Sequence, residues 1–194
     1  GTNFLGLFER SLYLAGLPNT IMTPFHAKVG FSLYSKVKDN NEKITEGLYW
    51  TLIFIIRLII PAGLIIFFFS NTILTTLFGE KWSPASSMFS YFSLYLVSLP
   101  VFNCLKHALL AKGKANSVTI ALGISLIIVM VGIGGTFFNQ KCWQYLPLIM
   151  GFGIMLSAFY LFRELHKLDI KLPLIDIFLL PIIMIIIFST GIKF

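Results

Sequence analysis

Long runs without a charged residue dominate the chain: Met88 to Leu105, Ser117 to Phe138 and Tyr145 to Phe162. About 20 such residues, at ~1.5 Å rise each, cross a ~30 Å hydrocarbon core. On that rule the pattern predicts six spans. Span A covers about Leu12 to Leu33, and span B Leu48 to Ser70 with helix continuing to Phe78. Span C is Ala85 to Leu105, D is Ser117 to Phe138, E is Tyr145 to Phe162 and F is Leu172 to Gly191. Span A is the least apolar, since it holds Pro18, Asn19 and Pro24. Connections are short, so consecutive spans are expected to pack antiparallel. The expected fold is all-α, a polytopic transmembrane bundle of about six helices, with residues 1–194 forming one unit.

Composition strengthens this picture. The chain is 57% hydrophobic and 12% charged, with a mean hydropathy of +0.86. A soluble domain needs about a quarter of its residues charged to cover its surface. The net charge of +7 does not point to nucleic acid, because the basic residues are scattered over short loops and form no stripe. Their distribution sets an orientation instead. Lys28, Lys36, Lys38, Lys43, Lys106, Lys112, Lys114, Arg163, Lys167 and Lys171 fall in the A–B, C–D and E–F connections. Arg10, Lys81, Lys141 and Lys193 fall on the opposite side. Ten against four makes the first set cytoplasmic by the positive-inside rule. Trp50, Trp82 and Trp143 all lie at expected membrane interfaces, as an aromatic belt requires. Cys104 and Cys142 suggest neither a disulfide framework nor a metal site. The chain opens on Gly1 without a basic stretch ahead of an apolar run, so no cleavable signal is read. It is expected to be part of a longer polypeptide.

Between spans B and C the polar stretch "LTTLFGEKWSPASSM" interrupts the apolar pattern. Gly79 and Pro84 are suited to stopping one helix and starting the next across a tight turn. An ordinary hairpin explains that much. The segment "TLFGEKWSPAS" also resembles the "fG-x-x-W-x-x-A" turn of bacterial polysaccharide repeat-unit flippases, in the multidrug/oligosaccharidyl-lipid/polysaccharide superfamily. Upstream, "LGLFERSLYLAGLPN" is similar to the family's "lG-x-Y-x-r-A-x-x-L-a-x-LP" segment, with Phe8 for the aromatic and Gly6, Arg10, Leu14 and Pro18 in register. Downstream, "LLAKGKAN" is similar to its "l-x-A-x-Gr" turn, with Lys114 where arginine is commoner. The three occur in order with fitting spacing, and the stretch they span, from Leu5 to Asn116, is most of the chain.

The resemblance implies two bundles of about six helices around a central cavity, of which this chain looks like the second, starting at the outer turn before its second helix. It implies O-antigen, lipopolysaccharide or exopolysaccharide repeat units as cargo, carried on an undecaprenyl-diphosphate lipid across the bacterial inner (plasma) membrane. It also implies as partners the membrane lipids, a first (N-terminal) bundle, and a polysaccharide polymerase or glycosyltransferases. Two departures stand out: span A is unusually polar, and nothing here corresponds to the first bundle.

No catalytic constellation is legible. His26, His107 and His166 are far apart, and no HExxH, Ser-His-Asp grouping or phosphate-cradling glycine loop occurs. The chain is read as a non-enzyme without cofactor or metal. Arg57 is the candidate substrate-binding residue. Nine residues beyond Leu48, it lies roughly 13 Å into the bilayer at ~1.5 Å per residue. A cation near the midplane costs at least ~2.5–3.5 kcal/mol, so it should face a cavity or a partner. Pro61 cannot donate to the carbonyl four residues back, which is that of Arg57 itself. Snorkelling, or pairing with a neighbouring helix, is the alternative. Asp176 is the candidate ion-coupling carboxylate, with an interfacial pair to Lys171 as its alternative. Pro61, Pro100 and Pro181 are candidate helix kinks. The cargo reading therefore stands beside two others: a cation-coupled exporter of drugs or metabolites, and a non-transporting membrane subunit of a polysaccharide assembly complex.

Overall fold

A computed structural model of the chain describes residues 2–24, 31–138 and 140–173. These residues form six α-helices joined by turns, with no strand among them: α1 (Thr2–Pro24), α2 (Phe31–Lys36), α3 (Asn41–Phe78), α4 (Ser86–Ala111), α5 (Ala115–Phe138) and α6 (Leu146–His166). Short 3-10 turns, Glu80–Ala85 and Gln140–Tyr145, lead into α4 and α6. The long segments Asn41–Phe78, Glu80–Ala111, Ala115–Thr136 and Trp143–His166 are each apolar enough to cross a membrane. They correspond to spans B, C, D and E. The polar region of span A is realised differently. Its helix begins at Thr2 rather than Leu12, carries Glu9 and Arg10 within it, and is not among those four segments. Thus the helix takes in all of "LGLFERSLYLAGLPN", including the part before Leu12. Span F, beyond its first two residues, lies outside the described residues.

Local chemistry explains the boundaries. Asn40 caps α3, its side-chain oxygen accepting from the Lys43 N–H at 3.0 Å, and Glu42 complements the positive helix start. α4 ends at Gly113, whose φ of 72° allows the Lys114 N–H to reach the Leu109 carbonyl and the Gly113 N–H that of Leu110. This is a glycine-terminated helix end in which the last carbonyls are satisfied. α6 ends the same way with Asp169 in the left-handed position, at φ 60°.

Helix α4 is the hub. α1, α3 and α6 pack around it, and α5 packs mainly on α6. Its Met88, Phe89, Phe92, Leu96, Pro100, Cys104 and Ala108 are all buried. α1 lays Phe8 against Phe92, ring centroids 5.4 Å apart, and buries Ser11 and Ala15 one and two turns on. α6 approaches α4 closely at Gly151, where an added Cβ would stand 2.7 Å from the backbone nitrogen of Tyr95. α5 is peripheral. Only 11% of its apolar window is buried, and Ile120, Leu122, Leu126, Ile127, Met130 and Val131 point outward.

Candidate functional site

The hairpin between α3 and α4 gives each of its recurring residues a physical task. Gly79 ends α3 at φ 87°, ψ 169°, its N–H donating to the Thr75 carbonyl. Trp82 folds back so that its ring meets Phe78, with centroids 5.6 Å apart. The Ser83 hydroxyl binds Asn71 Oδ1 at 3.0 Å, and Ala85 is fully buried. Gly, Trp and Ala at this spacing are explained by the turn itself, which carries no chemistry.

Arg57 stands elsewhere. It lies sixteen residues after Asn41 on the 38-residue α3, roughly 24 Å from the helix start at ~1.5 Å per residue. α3 buries Leu48, Leu52, Ile55, Ile59, Gly63, Ile66 and Ser70 against the bundle, a stripe with helical spacing. Arg57 is exposed and, at ~100° per residue, falls on the side of α3 opposite that stripe. Trp50, Pro61, Phe68 and Asn71 share its side. Among the described residues the one ion pair is Lys167–Glu164, so no described carboxylate neutralises Arg57. Pro61 and Pro100 lie within continuous helices, and the backbone of α3 leaves helical dihedrals at Phe69 instead (φ −109°, ψ 18°). Asp176, Pro181 and His26 lie outside the described residues.

Acidic residues in the four long apolar segments sit near their ends, at Glu42, Glu46, Glu80 and Glu164. His107 is half-buried and His166 exposed at the end of α6. Among the described residues no three His, Cys, Asp or Glu side chains cluster as metal ligands would.

Sequence reasoning missed the polar ties at the basic end. Asn41 Nδ2 donates to the Leu168 carbonyl at 2.9 Å. The Lys112 ammonium donates to Asn41 Oδ1 at 2.5 Å and also to the Lys38 carbonyl. Lys114 singled itself out by its motif position, yet the neighbouring Lys112 makes the tie. Ser117 reaches Glu164 at 3.2 Å, joining α5 to α6. Tyr34 on α2 is buried, its hydroxyl 3.4 Å from Thr51 Oγ1 and 4.0 Å from Cys104 Sγ. Burial pushes its phenol well above the ordinary range, and Cys104 adds to the shift, so Tyr34 acts as a neutral hydrogen-bonding group.

A family described as "Polysaccharide biosynthesis protein" matches residues 1–87, from α1 through the hairpin to the start of α4. The teichuronic acid biosynthesis protein TuaB of Bacillus subtilis (strain 168) is 25% identical over 116 residues, 60% of this chain and 24% of that protein. The chain therefore spans about a quarter of the length of the curated relative it matches. No solved structure gives a significant match.

Proposed function

We propose that the chain forms one bundle of a transporter for lipid-linked oligosaccharide, a reading supported by the polysaccharide biosynthesis family match over residues 1–87 and by the similarity to a teichuronic acid biosynthesis protein. The cargo joins a polar glycan to a lipid through a diphosphate, and cannot cross ~30 Å of hydrocarbon unaided. A cavity bearing a cation holds the diphosphate by charge-assisted hydrogen bonds. An open side leaves the lipid tail in the bilayer. The step makes and breaks no covalent bond and uses no cofactor. The location is the bacterial inner membrane, with the basic end in the cytoplasm and a second bundle of the same protein facing this one.

One observation carries the reading: the position of Arg57. Beyond Thr119, the exposed side of α5 is lined by Ile120, Leu122, Leu126, Ile127, Met130 and Val131, as a surface bathed in lipid tails should be. The outward side of α3 also exposes large apolar side chains, at Trp50, Phe54, Leu58, Ile65 and Phe68, but it sets the charged Arg57 among them, with Asn71 further along. A cation in hydrocarbon is expensive, so this side suits a hydrated path or an anionic visitor. An exporter coupled to cations needs a carboxylate within the spans, and no described residue supplies one there.

The test uses the intact protein in a strain lacking its own copy. Arg57→Ala should keep membrane abundance near normal and cut surface polysaccharide about tenfold or more, since a hydrogen bond to a charged group contributes about 1.5–3 kcal/mol. Arg57→Lys should retain part of the activity, keeping the charge but losing the two-pronged guanidinium. If Arg57 serves packing alone, Arg57→Ala lowers abundance while each remaining molecule transports normally.

A further inference from the structure

We propose that Asn41 and Lys112 form a clasp that fixes the basic end of the bundle and confines its conformational changes to the opposite end. Three separate parts of the chain meet at these two side chains. Lys38 belongs to the turn before α3, Asn41 is the first residue of α3, Lys112 follows α4, and Leu168 follows α6. The amide of Asn41 is used at both ends: its Nδ2 holds Leu168, and its Oδ1 receives Lys112. Lys112 spends a second donor on Lys38. A charged donor gives the clasp shorter and stronger bonds than a neutral one would.

The partners are themselves held in place. Left-handed turns at Gly113 and Asp169 set the directions in which Lys112 and the Leu168 carbonyl project. Ile170 and Leu172, just beyond, are buried in the core, so the segment after α6 is anchored on both sides of the clasp. Ser117, Glu164 and Lys167 form a second tie between α5 and α6 at this end.

The opposite end is built differently. Ser83 and Asn71 join two parts of one hairpin, and Tyr91 meets Tyr145 through ring contact, centroids 5.4 Å apart. α3 departs from helical geometry at Phe69, nearer this end, which provides a bending point. Asn41 and Lys112 are thus positioning residues: they touch no cargo and act by holding helix ends. The inference does not depend on which cargo crosses.

Spin-label distances in the intact protein, reconstituted in lipid nanodiscs, test it. One pair replaces the exposed Glu42 and Lys171 at the basic end, the other the exposed Leu77 and Leu148 at the far end. The basic-end distribution should be the narrower. Lys112→Met should broaden it about twofold, as loss of a tie lowers local stability, and Lys112→Arg, which keeps charged donors, should restore it. Asn41→Asp keeps an acceptor for Lys112 but loses the donor to Leu168, so it should broaden the same pair; it is read in the same way if Lys112→Met fails to accumulate. An unchanged basic-end distribution in a folded variant would overturn the clasp. So would equal broadening by Met and Arg, or a wild-type basic end broader than the far end.

Discussion

Gly79 shows how a single residue sets the path of two helices. Its backbone, at φ 87° and ψ 169°, lies in a region open essentially to glycine alone, where another residue stores about 1–3 kcal/mol of strain. The glycine terminates α3 and directs Trp82 back over Phe78. Gly79→Ala should therefore lower the thermal midpoint of the detergent-solubilised protein by an amount matching a loss of about 1–3 kcal/mol. Gly6 is the control, since it sits in α1 with open space around it. Gly6→Ala should be neutral or stabilise by about 0.5–1 kcal/mol, because alanine has less backbone freedom to lose in a helix. Equal midpoints for the two variants would contradict this reading of the turn.

Among the elements, the close crossing of α4 and α6 is the most demanding contact. The Cβ of an alanine at Gly151 would meet Tyr95 backbone nitrogen at 2.7 Å and Leu94 carbonyl carbon at 3.0 Å. Backbone cannot turn aside as a side chain can, so Gly151→Ala should cost about 1–3 kcal/mol. Gly123→Ala on peripheral α5, with nothing within 4 Å, should not destabilise. Thermal midpoints of the two variants check this, and a tolerated Gly151→Ala would mean that the helices are not in close contact there. The four long apolar helices were legible in the sequence because membrane spans must be uncharged for most of their length, and spans B to E satisfy that plainly. The first helix was less legible. Glu9 and Arg10 broke the uncharged window, and only a stripe of Leu7, Phe8, Ser11, Leu12 and Ala15 marks the face that packs on α4. Hydropathy reads the lipid-facing pattern, whereas this stripe answers to a protein neighbour. Within the site, Arg57 was legible as a cation out of place. The Asn41–Lys112 clasp was not, because its partners are 71 residues apart and two of its acceptors are backbone carbonyls, which no residue pattern marks.

For the molecule as a whole, a basic end, a peripheral helix with a largely apolar outer side, and a second outward side bearing Arg57 point to different surroundings for different sides of the bundle. Lipid tails suit α5. The Arg57 side of α3 suits a water-accessible path under the proposed transport function. The orientation proposed from the lysines puts the clasp in the cytoplasm and the Gly79 hairpin outside. Capture of the cargo tests the central claim most directly. A photo-crosslinking amino acid is placed at Trp50, which is exposed and two helical turns from Arg57 on the same side of α3, and separately at Phe159, exposed on α6. Both proteins are illuminated in native membranes that contain lipid-linked oligosaccharide. An adduct carrying the glycan should form at position 50 and be lost when Arg57→Ala is added, while position 159 captures only ordinary lipid. Glycan adducts at both positions, at position 159 alone or at neither would contradict a cargo path along this side of α3.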